Sequence, residues 1–600
     1  MKRSLCCLLL CFLLFGMFSA CQKAPEPTEP TEPAGPHLWY AYNTENFMQD
    51  IQYPELMASR DCTLRFHTLR GDVEAAQLMI TADVDIEKYE IEIGDLLSEN
   101  GEKFSKKNFE IFTHWYIEID TTYNADAYLG FYPDPLVPFK QRKRERENTI
   151  TAGQNQGIWI NAAIPEDTAP GFYTGTAELK LDKQVYEIPI ELTVYDLQMP
   201  QQVHPQSCFL IWYQDIPVGE GYLSPEISDA YYWFLVEKRV MPYAPQPATF
   251  NSDDAFIQWV EENVAENPKI SSYGLPYQVE NSQQGRIVSR NGVMNLLSKM
   301  AQKNVEMRQN GKENVNLFDR AYYYLGSIID EPSGEALERV KICDLILTEC
   351  KFAVADQYLT EYPDLYNSLI GLTHIVTTAY NESLIGSDTE GGVHTWCPTY
   401  EKWHGEDQRQ KYYDRQNTTD RMMGEGAWWY SAWDPKVPFP TYHMDDQILS
   451  GRLLSWMQYD YGSEGNLYWD VNLYSSDIWY EPPFVSNGTV GDGLLIYPGA
   501  KYNLQEPIST LRLESIREGQ EDYELFWMME QQILQYNEEN GTDYDPKTLM
   551  AHFYDGLYEG MKQVRNNSDT FHQRRIQVLN ALELLTKDPA AGIAALENGG

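Results

Sequence analysis

Ser327-Ile328-Ile329-Asp330-Glu331-Pro332-Ser333 closes an apolar run that begins at Ala321, and it opens a new element at once. Ala321 to Ile329 reads as a buried strand, apolar on both faces, as parallel strands covered by helices are. Pro332 has no N–H to extend a ladder, and it biases Glu331 away from helical backbone. Ser333 is placed to cap a helix running to about Cys350, with Glu335 favourable in its first turn. Strand, acidic turn and helix make half of a βα repeat. Within a regular strand, Asp330 and Glu331 would face opposite ways; a strand end broken by proline lets both reach one side.

The repeat extends in both directions. Ser207 to Tyr213 is a continuous apolar strand, and Met294 to Arg308 is amphipathic. Lys351 to Ala355, Gly392 to Cys397, Arg421 to Tyr430, Leu467 to Asn472 and Leu494 to Tyr497 are further strand candidates. Alternation over about 300 residues predicts a (β/α)8 TIM-type barrel across 201–510, whose active site belongs at the C-terminal ends of the strands. Pro200 and Pro205 mark a boundary before it. Upstream, residues 37–200 carry short alternating runs (Gln77 to Ile80, Tyr89 to Ile93, Ile158 to Ala162, Thr176 to Leu181, Tyr186 to Tyr195), the pattern of a β-sandwich. Downstream, 511–600 is helical, with Leu513, Ile516, Tyr523, Phe526 and Ile533 at near-helical spacing, and is expected to pack on the barrel.

At the N-terminus, Lys2 and Arg3 precede an apolar run from Leu5 to Ala20 that is too short to span a bilayer. Phe18-Ser19-Ala20-Cys21 resembles a bacterial lipoprotein signal, which assigns 1–21 to a signal peptide and lipidation to Cys21. Residues 22–36, rich in Pro, Glu and Thr, read as a tether. This expectation places the chain on the extracellular face of the cell membrane, held only by the lipid at Cys21.

The 600 residues include 46 basic and 89 acidic side chains, a formal net charge of −43. Such a surface repels nucleic acid and anionic membranes. Beyond the export segment, Cys62, Cys208, Cys343, Cys350 and Cys397 are scattered, with no CxxC, and no HxH or HExxH occurs, so spacing indicates neither a disulfide framework nor a metal, and no cofactor is expected. P-loop, dinucleotide-binding and GxSxG patterns are absent as well. Aromatic residues make up 13%, which suits stacking on sugar rings.

Glycosidic cleavage needs a proton donor for the leaving oxygen and stabilisation of a cationic transition state, and two carboxyls supply both. Asp330 and Glu331 are the catalytic candidates. Trp396, Tyr400, Glu425, Trp428, Trp429 and Trp469 lie at or near other strand ends and are the candidate substrate-binding residues. Glu425, flanked by Gly424 and Gly426, is also an alternative nucleophile for a double displacement. A surface lipoprotein that captures glycans without turnover is a third reading.

Asp330-Glu331-Pro332, Trp396-Cys397-Pro398, Trp429-Tyr430, Gly491 to Gly499, Leu511 to Glu514 and Arg517 to Glu524 together resemble glycoside hydrolase family 123 and its relatives with the domain of unknown function 4091. Tyr132 to Leu136, and Trp159 through Gly171-Phe172-Tyr173-Thr174-Gly175, resemble that family's β-sandwich. The resemblance implies a β-N-acetylgalactosaminidase with a retaining, substrate-assisted mechanism. Carried over by position, Asp330 orients the substrate's 2-acetamido group and Glu331 is the general acid/base.

Overall fold

The computed structural model describes residues 35–245, 252–386, 389–417, 424–481 and 489–599. The signal peptide, Cys21 and nearly all of the tether lie outside them. Among the described residues, no helix is long and apolar enough to cross a membrane.

The N-terminal part is two sheets. One holds five antiparallel strands in the order His37–Tyr42, Val73–Thr81, Asn155–Ala163, Phe109–Ile119, Gly130–Pro138. The other is built on Gly171–Leu181 and Gln184–Gln198, the latter paired in parallel with Leu64–Arg70. Alternation decides which face is covered. Along Gly171–Leu181, Tyr173, Ala177, Leu179 and Leu181 are buried, while Thr174, Thr176 and Glu178 face solvent. The buried set joins Leu78, Ile80, Ile158 and Ile160 of the facing sheet in one core.

From Gln206 the pairing becomes parallel. Gln206–Phe209 pairs with Gly465–Tyr468, which pairs with Trp429–Ser431. Tyr273–Gly274, Ala321–Tyr324, Thr373–Val376, Thr395–Trp396 and Gly426–Ala427 follow one another edge to edge. The segment around Met241 to Tyr243 connects the two sets: Phe209 N donates to Met241 O (2.8 Å) and Gly274 N to Tyr243 O (2.5 Å). Every second side chain turns to a shared apolar layer of Cys208, Tyr322, Tyr324, Ile375, Cys397, Trp428, Tyr430 and Leu467.

Several boundaries differ from expectation. The strand expected over Ala321 to Ile329 stops at Tyr324, because the chain turns back on Leu325: Ile328 N and Ile329 N both donate to its carbonyl. The following helix is Ala336–Ala355, starting after Ser333 and absorbing the strand expected at Lys351 to Ala355. The strand of that repeat is Thr373–Val376, after a second helix Pro363–Ile370. Ile496–Tyr497 pairs antiparallel with Ile508–Ser509, outside the parallel set.

The C-terminal helix Leu511–Asn540 does more than cover the parallel strands. Thr510 caps it, accepting from Leu513 N, and its first half is buried although it is largely charged. Arg512 is paired with Asp134 of the sheet region at 2.7 Å. Asp522 receives Arg452 at 2.6 Å and Arg575 at 2.7 Å, and Arg575 also reaches Glu74 at 2.8 Å. Burial disfavours the charged form of Asp522, but Arg452 and Arg575 outweigh it and lower its pKa to about 2. This ionic seam joins the N-terminal sheets, the parallel strands and the last helices.

Candidate active site

Thr377 directly follows the strand Thr373–Val376, two residues beyond inward-facing Ile375, so it too faces inward. Its hydroxyl donates to Asp330 Oδ1 at 2.8 Å and accepts from Glu331 N at 3.2 Å. Tyr430, two residues after inward-facing Trp428, donates to Glu331 Oε1. Burial, reinforced by the Glu331 carboxylate, pushes the Tyr430 phenol far above its usual range, so it stays a donor. Glu331 has φ +41°, a left-handed conformation uncommon for a residue with a side chain. Proline alone was expected to set its backbone; the Thr377 hydrogen bond holds the strained turn as well.

Asp330 and Glu331 are exposed at the mouth of the parallel strands. Glu331, Thr377, Thr399, Glu401, Lys402, Tyr430, Trp433 and Asp434 line a cavity of about 320 Å³. Trp433 is 43% exposed. Burial raises the pKa of Asp434, with Lys436 opposing, so a third carboxyl beside Glu331 is biased toward its neutral form.

The aromatic residues singled out from sequence mostly lie elsewhere. Trp396 is buried beneath Tyr380, and Tyr400 and Trp429 pack with Trp403 and Phe439 on the outer side of the strands. Trp428 is buried in the inner layer against Tyr322. Trp469 is half-buried, held by Asp492 Oδ1 at 3.0 Å and meeting Trp212 edge to face at 5.7 Å. None of these lines the cavity at Glu331. Tyr430 and Trp433 do, and strand alternation from Trp428 was the signal for Tyr430. Thr377 left no signal, because an isolated threonine after a strand is ordinary.

Glu425 is 5% exposed and lies just before Gly426–Ala427, whereas Glu331 lies beyond the far end of Ala321–Tyr324. Glu425 is not among the residues that line the cavity at Glu331. Glu425 instead pairs with Arg415 at 2.5 Å and His394 at 3.1 Å. Asp344, His374 and His394 lie close enough to hold a cation. The same groups also contact one another and a lysine: Lys351 Nζ is 3.3 Å from His374, and Asp344 lies between the two histidines at 3.0 and 3.4 Å. Burial lowers the Lys351 pKa to about 8, while His374 and His394 hold Asp344 well below its usual range against the effect of burial. Lys351, His374, Asp344, His394, Glu425 and Arg415 thus form one connected buried chain of charged and imidazole groups.

Adjacent carboxyls in the turn after a parallel strand, beside a cavity with a half-exposed tryptophan, form an arrangement suited to glycoside hydrolysis. The family descriptions agree: the glycoside hydrolase 123 catalytic domain matches residues 315–529, and the glycoside hydrolase 123 N-terminal domain matches 47–181. The chain belongs to glycoside hydrolase family 123 and is a glycosidase. The fold resembles that of a family 123 glycoside hydrolase from Clostridium perfringens, studied for glycolipid glycan hydrolysis, at 14% identity and TM-score 0.61, covering 94% of this chain and 100% of that one. Bacteroides uniformis β-glucuronidase 3 is more distant, at 9% identity and TM-score 0.26, covering 77% of this chain and 51% of that one. No curated protein matches the chain by sequence.

Proposed function

We propose that this glycosidase removes terminal β-linked N-acetylhexosamine, N-acetylgalactosamine first, with retention and with the substrate's own acetamido group as nucleophile. The observation that carries the reading is the Thr377 hydroxyl, which is hydrogen-bonded to both the Asp330 carboxylate and the Glu331 backbone amide. In the first step the acetamido oxygen attacks the anomeric carbon, the glycosidic bond breaks, and Glu331 gives its proton to the leaving oxygen. Asp330 accepts the acetamido N–H and stabilises the positive charge that develops on the oxazolinium ion. Water then adds at the anomeric carbon from the vacated face, returns its proton to Glu331 and reopens the ring. No protein nucleophile is required, which accords with Glu425 being held in buried ion pairs with Arg415 and His394.

A (β/α)8 barrel is the architecture we infer for 201–510. Its support is the edge-to-edge succession of parallel strands and their shared inner layer. An exported, lipid-anchored location rests on the sequence around Cys21. The glycolipid glycan work on the Clostridium perfringens enzyme supports glycolipid headgroups as first natural substrates to try.

The test is turnover of aryl β-N-acetylgalactosaminide and β-N-acetylglucosaminide, with Glu331→Gln, Asp330→Asn and a thiazoline mimic of the intermediate. Loss of activity in both variants and inhibition by the thiazoline are expected. Full activity in both would overturn the assignment, and covalent trapping of Glu425 by a 2-fluoro sugar would replace it with double displacement.

A further inference from the structure

Trp433 and Asp434 reach the cavity on a loop that starts at Ala432. What stands behind that loop comes from the N-terminal sheets, more than three hundred positions earlier in sequence. Residues 120–129 join Phe109–Ile119 to Gly130–Pro138 and lie against it. Val437 N donates to the Tyr123 hydroxyl at 3.0 Å. Lys436 Nζ sits 4.5 Å from the centre of the Tyr123 ring and 6.0 Å from that of Trp433. Thr122 Oγ1 donates to Asp445, and its oxygen accepts from Asn124 N, which fixes the turn that presents Tyr123. On its other side the Tyr123 ring meets His443 edge to face at 6.3 Å. His443 Nε2 lies 3.1 Å from Ala432 O, at the root of the loop.

We propose that Tyr123 is a positioning residue for substrate: through Val437, Lys436 and His443 it holds the Trp433–Asp434 loop against the Glu331 cavity, so that the N-terminal sheet region braces, from behind, the loop that walls the sugar-binding site. The proposal rests on the glycosidase reading of that cavity. Tyr123 touches neither Asp330, Glu331 nor the cavity itself. Its loss therefore acts on how well the sugar is held, and leaves proton transfer intact once the sugar is bound.

Three variants of the full chain separate this from general stabilisation. Tyr123→Phe removes the acceptor for Val437 N and keeps the ring under Lys436; Tyr123→Ala removes both; Phe172→Ala, at an exposed position on the N-terminal sheets, is the control. Hydrogen exchange at Val437 is expected to speed up by about fivefold in Tyr123→Phe, as one backbone hydrogen bond is released. KM for the aryl glycoside is expected to rise about tenfold in Tyr123→Ala, with kcat within about twofold of wild type. The control is expected to change neither. An unchanged exchange rate at Val437, an unchanged KM in Tyr123→Ala, or a fall in kcat at constant KM would each overturn the proposal. A wild-type protein without turnover would refute the glycosidase reading instead, and the exchange rates would still decide whether Tyr123 holds the loop.

Discussion

Thr377→Val keeps the shape of a side chain that is buried at the end of Thr373–Val376 and deletes its hydroxyl. That hydroxyl serves two groups, donating to Asp330 and accepting from Glu331 N. A hydrogen bond to a charged group contributes about 1.5–3 kcal/mol. Tenfold in rate corresponds to about 1.36 kcal/mol, so full loss of Asp330 orientation in the transition state predicts a kcat lower by about 10- to 150-fold. Both acids are exposed, so water replaces the lost partner in the folded state and the melting temperature moves by no more than about 2 °C. Release of aryl alcohol at saturating substrate measures kcat, and a thermal scan of the same preparation checks folding. Thr377→Ser, which restores the oxygen, is expected to recover activity to within about threefold of wild type. A well-folded Thr377→Val enzyme with kcat within about threefold of wild type would show that the threonine does not organise the pair.

Tyr430→Phe removes the donor to Glu331 Oε1 and is expected to lower kcat/KM by about tenfold in the same assay, the loss of one hydrogen bond to a carboxyl. Glu425→Gln breaks a buried ion pair with Arg415; it is expected to cost about 3 kcal/mol in urea unfolding while kcat per folded molecule stays near wild type. Acid sensitivity should trace in part to Asp522. Its folded pKa of about 2 lies below the unfolded value near 3.8, so its contribution is present above pH 4 and is lost as pH falls from about 4 to 2; unfolding free energies of Asp522→Asn should therefore fall less steeply over that interval, by about 2 kcal/mol in total. Trp433→Ala is expected to raise KM at least about tenfold through loss of a stacking face, as read from initial rates.

Strand and helix periodicity located the two architectural halves because burial imposes it directly. The alternation in Gly171–Leu181 and the apolar run at Ala321 are written by their surroundings. Asp330 and Glu331 stand out in sequence as two acids after a buried strand, and the resemblance to the family's motifs falls on the same pair. Trp396, Tyr400, Trp428 and Trp429 misled, since a tryptophan that packs between strands and helices and one that faces sugar look alike in sequence. Glu425 misled for a related reason: its flanking glycines allow close approach, and what approaches is buried protein, with Glu464 lying where a side chain at Gly426 would stand. Thr377, Tyr123 and the left-handed backbone at Glu331 depend on contacts between distant segments, which no local pattern encodes.

The ionic seam sets an order of events during synthesis. Arg575 bonds the carbonyl of His67, 508 positions earlier, and pairs with Glu74 and Asp522. At about 5–20 residues per second, the N-terminal sheets therefore wait roughly half a minute to two minutes after leaving the ribosome before their last cation arrives. An apolar seam left open that long would recruit other nascent chains. Asp72 and Glu74 stay hydrated in the interval, so a charged seam keeps the early half soluble until the C-terminal helices close it.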